Sequence, residues 1–226
     1  MKKKILVFVA HSDDETLGMG GTIKKHTDKG DNVIVISMTD GVGSRKKNSP
    51  KEIIERQKCA DKASSYLGFS WGKCFDFEDN KMDTYPLLEI IKSIEIIKNE
   101  YNPCLVYTHS SADLNIDHRV LSNAVITAFR PQPKEACKEI RLFEVPSATD
   151  YGVCEINGNF IPNLYVGINV NYWEAKLKAL KAYKKEIKAY PHSRSLGSIE
   201  NLAKLRGNQV GLEMAEAFQI IRKIDT

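Results

Sequence analysis

His11, Asp13, Asp14 and Glu15 follow directly on the apolar run from Ile5 to Ala10, so one imidazole and three consecutive carboxylates sit where a buried segment leaves the core. A histidine and a carboxylate three residues apart, across a turn into a helix, can converge on one cation. Neutral imidazole and carboxylate suit zinc, and a His/His/Asp set also accepts iron, manganese or cobalt. A catalytic zinc takes three protein ligands and keeps one position for water, so a third ligand is expected from another strand end. The stretch DLNIDHRV, residues 113 to 120, offers His118. Asp117 beside it can fix a site histidine by accepting a ring N–H. With His11, Asp14 and His118 on the metal, Asp13 is left to face the bound water, whose pKa falls to about 7 on zinc. A carboxylate there can take that proton and deliver it to a leaving group. Glu15 then faces outward or supports the site from behind.

Two plainer readings compete. An aspartate cap with acids in the first turn stabilises a helix by about 0.5–2 kcal/mol, but it explains one acid of the three and not His11. A dinucleotide-binding turn would need glycines where this chain has Ser-Asp-Asp-Glu. Gly18, Gly20 and Gly21 come too late, inside the predicted helix.

The elements that must position these residues alternate. Strands are predicted over 5–10, 32–38, 73–77, 104–108 and 140–145. A later strand falls in NLYVGINV, where an antiparallel orientation is open. Helices are predicted over 14–29, 50–66, from Pro86 through Ile97, over 117–129 and over 173–189, with a closing helix over 211–224. Strand–helix alternation predicts a Rossmann-like three-layer α/β sandwich, a mostly parallel sheet flanked by helices, in one domain over 1–226. The region after Val145 is expected to add an edge or cap. In open sheets of this kind, ligands bind at the carboxyl ends of strands, where both motifs fall.

The 226 residues are 42% hydrophobic and 27% charged with a net charge of +4, which argues against disorder. The lysines spread over helical faces without interleaved aromatics, so no nucleic-acid partner is expected. Arg45, Lys46 and Lys47 could meet an anionic group, with a solvated loop as the plainer reading. No run approaches the roughly 18 apolar residues of a membrane span. The basic start reads as a first strand and not as a signal peptide. Five cysteines, none at CxxC spacing, point to a reducing, cytoplasmic setting and away from a thiolate zinc site.

Ala10-His11-Ser12-Asp13-Asp14-Glu15 resembles the first motif, A-H-P-D-D-E, of the PIG-L/LmbE-like zinc-dependent N-deacetylases. Asn115-Ile116-Asp117-His118 resembles their His-Pro-Asp-His motif. The likeness runs from about residue 4 to 130. It implies zinc-dependent hydrolysis of an N-acetyl group on a small amino-sugar or glycoconjugate substrate. His11, Asp14 and His118 would be the ligands and Asp13 the general base. The resemblance also makes Arg56 a substrate-binding arginine. Ser12 replaces a proline, and Asn115 stands where many members carry an oxyanion-stabilising histidine. His109, at a strand end, or His192, in YPHSRS, could fill that gap, and His192 is preferred; Arg194 beside it could meet a sugar or phosphate. The catalytic set is therefore Asp13, Asp117, Asn115 and His192, with Arg56, His109 and Arg194 as substrate contacts. An amidase acting on a non-sugar N-acyl substrate, or a metal- or sugar-binding protein with impaired catalysis, is the alternative. The sequence leaves a homo-oligomer open.

Overall fold

The computed structural model describes residues 2–39, 41 and 50–225; Arg45, Lys46 and Lys47 lie outside them. β1 (Lys4–Val9) and β2 (Asn32–Ser37) are apolar runs rich in Val and Ile and, after an exposed first residue, buried on both faces. They pair in parallel, Ile5 opposite Val33 and Val9 opposite Ser37. Helix α1 (Asp14–Asp28) connects them, and α2 (Pro50–Leu67) leads to the short β3 (Ser70–Trp71). After α3 (Leu87–Tyr101) the chain returns to the other side of β1 as β4 (Leu105–His109). Then α4 (Ile116–Ala128) leads to β5 (Glu139–Phe143). A one-turn α5 (Cys154–Asn157) precedes β6 (Leu164–Gly167), α6 (Val170–Ala182), α7 (Leu196–Asn208) and β7 (Ala215–Lys223). The sheet order is β3-β2-β1-β4-β5-β7-β6, with β7 antiparallel to both neighbours.

Alternation along β1 builds the layers. Ile5, Val7 and Val9 face a core shared with residues of α1, α2, α6 and α7, while Leu6, Phe8 and Ala10 face the core under α3 and α4. The crossovers change face between β2 and β4. The strand order therefore reverses at the β1/β4 boundary, where a crevice opens beyond the strand ends.

Three predicted elements differ, and one helix is additional. The strand expected over 73–77 is β3 at Ser70–Trp71, followed only by an isolated bridge between Thr39 and Phe77. Gly72 passes so close to β2 that a Cβ there would lie 2.4 Å from Ile36, and the regular ladder ends at that point. Helix α6 stops at Ala182 rather than 189, which turns Tyr183 and Glu186 toward the β1 end. Helix α7, capped by Ser195 on the Ser198 N–H, occupies a stretch for which no element was predicted. The predicted closing helix is β7. Its sequence suits a helix, but it fills the space between β5 and β6, and sheet pairing overrides local preference.

Candidate metal and hydrolase site

The turn after β1 is tight: the Asp13 and Asp14 N–H groups both donate to the His11 carbonyl, at 3.0 and 3.2 Å. Asp13 occupies the cap position of α1, yet its side chain makes no capping hydrogen bond. Asp14 turns back instead, and its Oδ2 accepts from the His11 N–H at 2.9 Å. These acids therefore serve something other than the helix end.

Across the crevice, Asn115 caps α4. Its Oδ1 accepts from the N–H groups of Asp117 (2.9 Å) and His118 (3.4 Å), and this presents His118 to the β1 turn. His11 Nδ1, Asp14 Oδ2 and His118 Nε2 form a triangle with all three edges at 3.3 Å. Three donors about 2.0–2.1 Å from one tetrahedral ion lie about 3.3–3.4 Å apart, so the triangle has the dimensions of a three-ligand metal face. Asp14 Oδ1 is buried with no partner among the described residues, a further acceptor for a cation.

Carboxylates hold the ring nitrogens that face away from the triangle. His11 Nε2 meets Asp117 Oδ2 at 3.2 Å and Asp79 Oδ1 at 3.1 Å, and His118 Nδ1 meets Asp113 Oδ2 at 3.0 Å. Asp113 and Asp117 are themselves held by Thr149 Oγ1 and by the Asn80 and Met82 N–H groups. Burial works against charging His11, yet Asp117, Asp14 and Asp79 raise its pKa well above the usual imidazole value. Burial is likewise outweighed at His118, raised to about 9 by Asp14 and Asp113. At Asp14 burial opposes ionisation, but His118 and His11 hold its pKa well below the carboxylate range. A pocket that favours positive charge on these rings favours a cation between them.

Asp13 is almost fully buried beside the triangle. Its Oδ1 pairs with Arg56 Nη2 at 3.1 Å and its Oδ2 with Arg194 Nη1 at 3.4 Å. Glu186 receives Arg56 Nη1 at 2.7 Å. These residues, with His11, Gly41, Asp79, Asn80 and Asn115, line a cleft of about 420 Å³ open to solvent. Glu15 is buried behind it, where its Oε1 accepts from Thr16 and from Tyr183 OH, and burial pushes its pKa up to about 8.

Two expected placements are corrected. His109 is fully buried beneath the triangle and cannot meet substrate. Its ring stacks on His118 at 3.8 Å and its Nε2 accepts from the Ala10 N–H, while burial and the neighbouring His118 keep it neutral. His192 is exposed and does not line the cleft, because its Nδ1 is turned onto the Arg194 N–H in its own loop. Asn115 lines the cleft, but its carbonyl oxygen is committed to the α4 cap. The sequence reading missed Asp79, Asp113, Tyr183 and Glu186. Asp113 sits in the same strand-end loop as His118 and carried a usable signal, whereas the other three come from segments with no motif.

Fold and site together define an α/β protein with a His/Asp/His cluster able to hold a metal ion at the sheet's switch point. The chain belongs to the PIG-L family: the family model described as GlcNAc-PI de-N-acetylase matches residues 6–129. It is 30% identical, over 81% of its length and 91% of the relative's, to the uncharacterized deacetylase YaiS of Escherichia coli strain K12. The N,N'-diacetylchitobiose deacetylase of Pyrococcus horikoshii superposes with a TM-score of 0.76 at 25% identity, covering 97% of this chain and 84% of that one. GalB, the 4-carboxy-2-hydroxymuconate hydratase of Pseudomonas putida KT2440, shares the fold at a TM-score of 0.77 and 19% identity, covering 100% of this chain and 98% of that one. The protein is accordingly an enzyme of the deacetylase class. Among the described residues, no helix is long and apolar enough to cross a membrane.

Proposed function

We propose that the protein removes an N-acetyl group from a small amino-sugar-containing substrate, with His11, Asp14 and His118 holding Zn²⁺ and Asp13 as general base. The observation that carries this reading is the 3.3 Å triangle with the Asp13 carboxylate beside it. The acetylglucosamine chemistry in the names of the family and of the chitobiose deacetylase supports the sugar.

A divalent ion bound by these ligands supplies Lewis acidity, acidifying a water molecule and polarising the acetyl oxygen. The chain's own residues do the rest. Asp13 accepts a proton from water as its oxygen bonds to the acetyl carbon. It returns that proton to the amide nitrogen as the C–N bond breaks, which leaves acetate and a free amine. Arg56, with all three guanidinium nitrogens on Ser12, Asp13 and Glu186, fixes the carboxylate against the cleft wall. Asp79, Asn80 and Asn115 offer acceptors and amide donors at the rim, suited to sugar hydroxyls.

The test joins metal analysis with a substrate panel. About one zinc per chain is expected, lost in His118→Ala and kept in Asp13→Asn, which loses turnover. Acetate release is expected from N-acetylglucosamine conjugates in preference to simple N-acyl amines. No zinc in the unsubstituted protein after supplementation, or near-full turnover in Asp13→Asn, would overturn the assignment.

A further inference from the structure

Acyl transfer moves negative charge onto the former carbonyl oxygen, and effective sites aim preorganised donors at that atom. Arg56 and Arg194 are the two guanidinium groups among the described residues lining the cleft. Arg56 has every nitrogen engaged. Asn115 is neutral and held at the helix end: its Oδ1 caps α4 and one N–H of its Nδ2 donates to Asn80 Oδ1 at 3.3 Å.

Arg194 is different. Its Nε is anchored on Ser147 Oγ at 2.6 Å and on the Pro146 carbonyl at 3.4 Å. Its Nη1 lies 3.4 Å from Asp13 Oδ2 and 3.9 Å from Glu186 Oε2. Its Nη2 has no partner among the described residues, although the side chain lines the cleft. The guanidinium is thus held by its stem against the loop after β5, with one edge on the base and the other donor open.

We propose that Arg194 is a catalytic residue: its Nη2 donates to the oxyanion that forms on the acetyl group, while its Nη1 aligns Asp13. This role rests on the deacetylase reading above. Asp13, Glu186, Arg56 and Arg194 form a quartet of two acids and two guanidinium groups, balanced while Asp13 is ionised. When Asp13 takes the proton of the attacking water, its charge disappears and an equal charge appears on the acetyl oxygen. Arg194 then loses its nearer ionic partner as the oxyanion forms beside it, while Glu186 stays at 3.9 Å. Its interaction is stronger in the transition state than with bound substrate, which is the condition for raising kcat.

The experiment uses the zinc-loaded protein, with acetate release from N,N'-diacetylchitobiose and other N-acetylglucosamine conjugates as the assay. Arg194→Ala is expected to lower kcat by about 10²–10³-fold at unchanged KM, as loss of one oxyanion donor does. Arg194→Lys should keep part of the rate, and added guanidinium ion should restore part of it to Arg194→Ala. Calorimetric binding of a methylphosphonamide of glucosamine, a tetrahedral anionic mimic, should weaken by the same factor as kcat/KM. Zinc content and Tm of both variants are measured alongside; if Arg194→Ala unfolds, Arg194→Lys carries the comparison. A rise in KM at constant kcat, or a mimic affinity that does not follow kcat/KM, would overturn the role and leave Arg194 a ground-state contact. No acetate from any sugar with the unsubstituted protein would instead overturn the functional reading, and this role with it.

Discussion

Asp113 shows how the site is tuned residue by residue. It accepts from His118 Nδ1 at 3.0 Å, which fixes the ring and leaves Nε2 facing the His11–Asp14 side, where the proposed ion would bind. Asp113→Ala is expected to weaken zinc binding by about 10–100-fold, the usual effect of losing such a partner, as read by competition with a chelating dye. Protons compete for the same nitrogens. His118 is raised to about 9 and His11 also lies above its ordinary value, so below these values zinc must displace protons. Apparent zinc affinity should therefore rise with pH through neutrality, with proton release at pH 7 detected by calorimetry in buffers of different ionisation enthalpy. The sign for folding without metal is the opposite. His118 has a folded pKa above its unfolded one, so its stabilisation is complete below about 6.5 and is lost as pH rises through about 9. Urea midpoints of the chelated protein should show the decline.

At the scale of elements, α1 is two short helices joined at Met19, whose φ of −146° is not helical. The break frees backbone groups, and a buried ion pair satisfies them. Glu216 of β7 accepts from the Gly21 and Thr22 N–H groups, while Lys176 of α6 donates to the Leu17 carbonyl and to Glu216 at 2.7 Å. Gly18, Gly20 and Gly21 let Phe143, Lys176 and Ile168 pack onto the broken helix, since a Cβ on each would meet them at 2.5, 3.1 and 2.9 Å. The half-helix that carries Asp14 is thereby set by α6 and β7. Glu216→Ala leaves Lys176 buried and unpaired and is expected to cost about 3–5 kcal/mol in denaturant unfolding. Lys176→Met with Glu216→Gln should cost less, because no uncompensated charge remains.

Across the whole molecule, the proposed metal ligands come from two strand–helix units. His11 and Asp14 follow β1 and His118 follows β4, adjacent strands whose order reverses at that point. An ion bound only by the folded state therefore couples both units to global stability. At a free zinc concentration 100 times Kd, unfolding should cost about 2.7 kcal/mol more, so chelation should lower Tm by several degrees in a calorimetric scan. His118→Ala should abolish the dependence on zinc.

The sequence by itself determined what depends on neighbours along the chain. The buried runs of β1, β2 and β4 can only be interior strands. His11, Asp13 and Asp14 share one tight turn, and Asn115 starts the helix that carries His118, so the residues that meet in the 3.3 Å triangle, with Asp13 beside them, could be picked out from the sequence. Only the tertiary structure decided what depends on distant segments meeting. It made β7 a strand because β5 and β6 left a place between them. It ended α6 at Ala182 so that Tyr183 and Glu186 reach the β1 turn. It buried His109, turned His192 away and brought Arg56 and Arg194 onto one carboxylate. Local spacing governs turns and caps because those hydrogen bonds close within a few residues. Charge partners about 40 to 180 positions away along the chain are selected only by packing, and no local pattern encodes them.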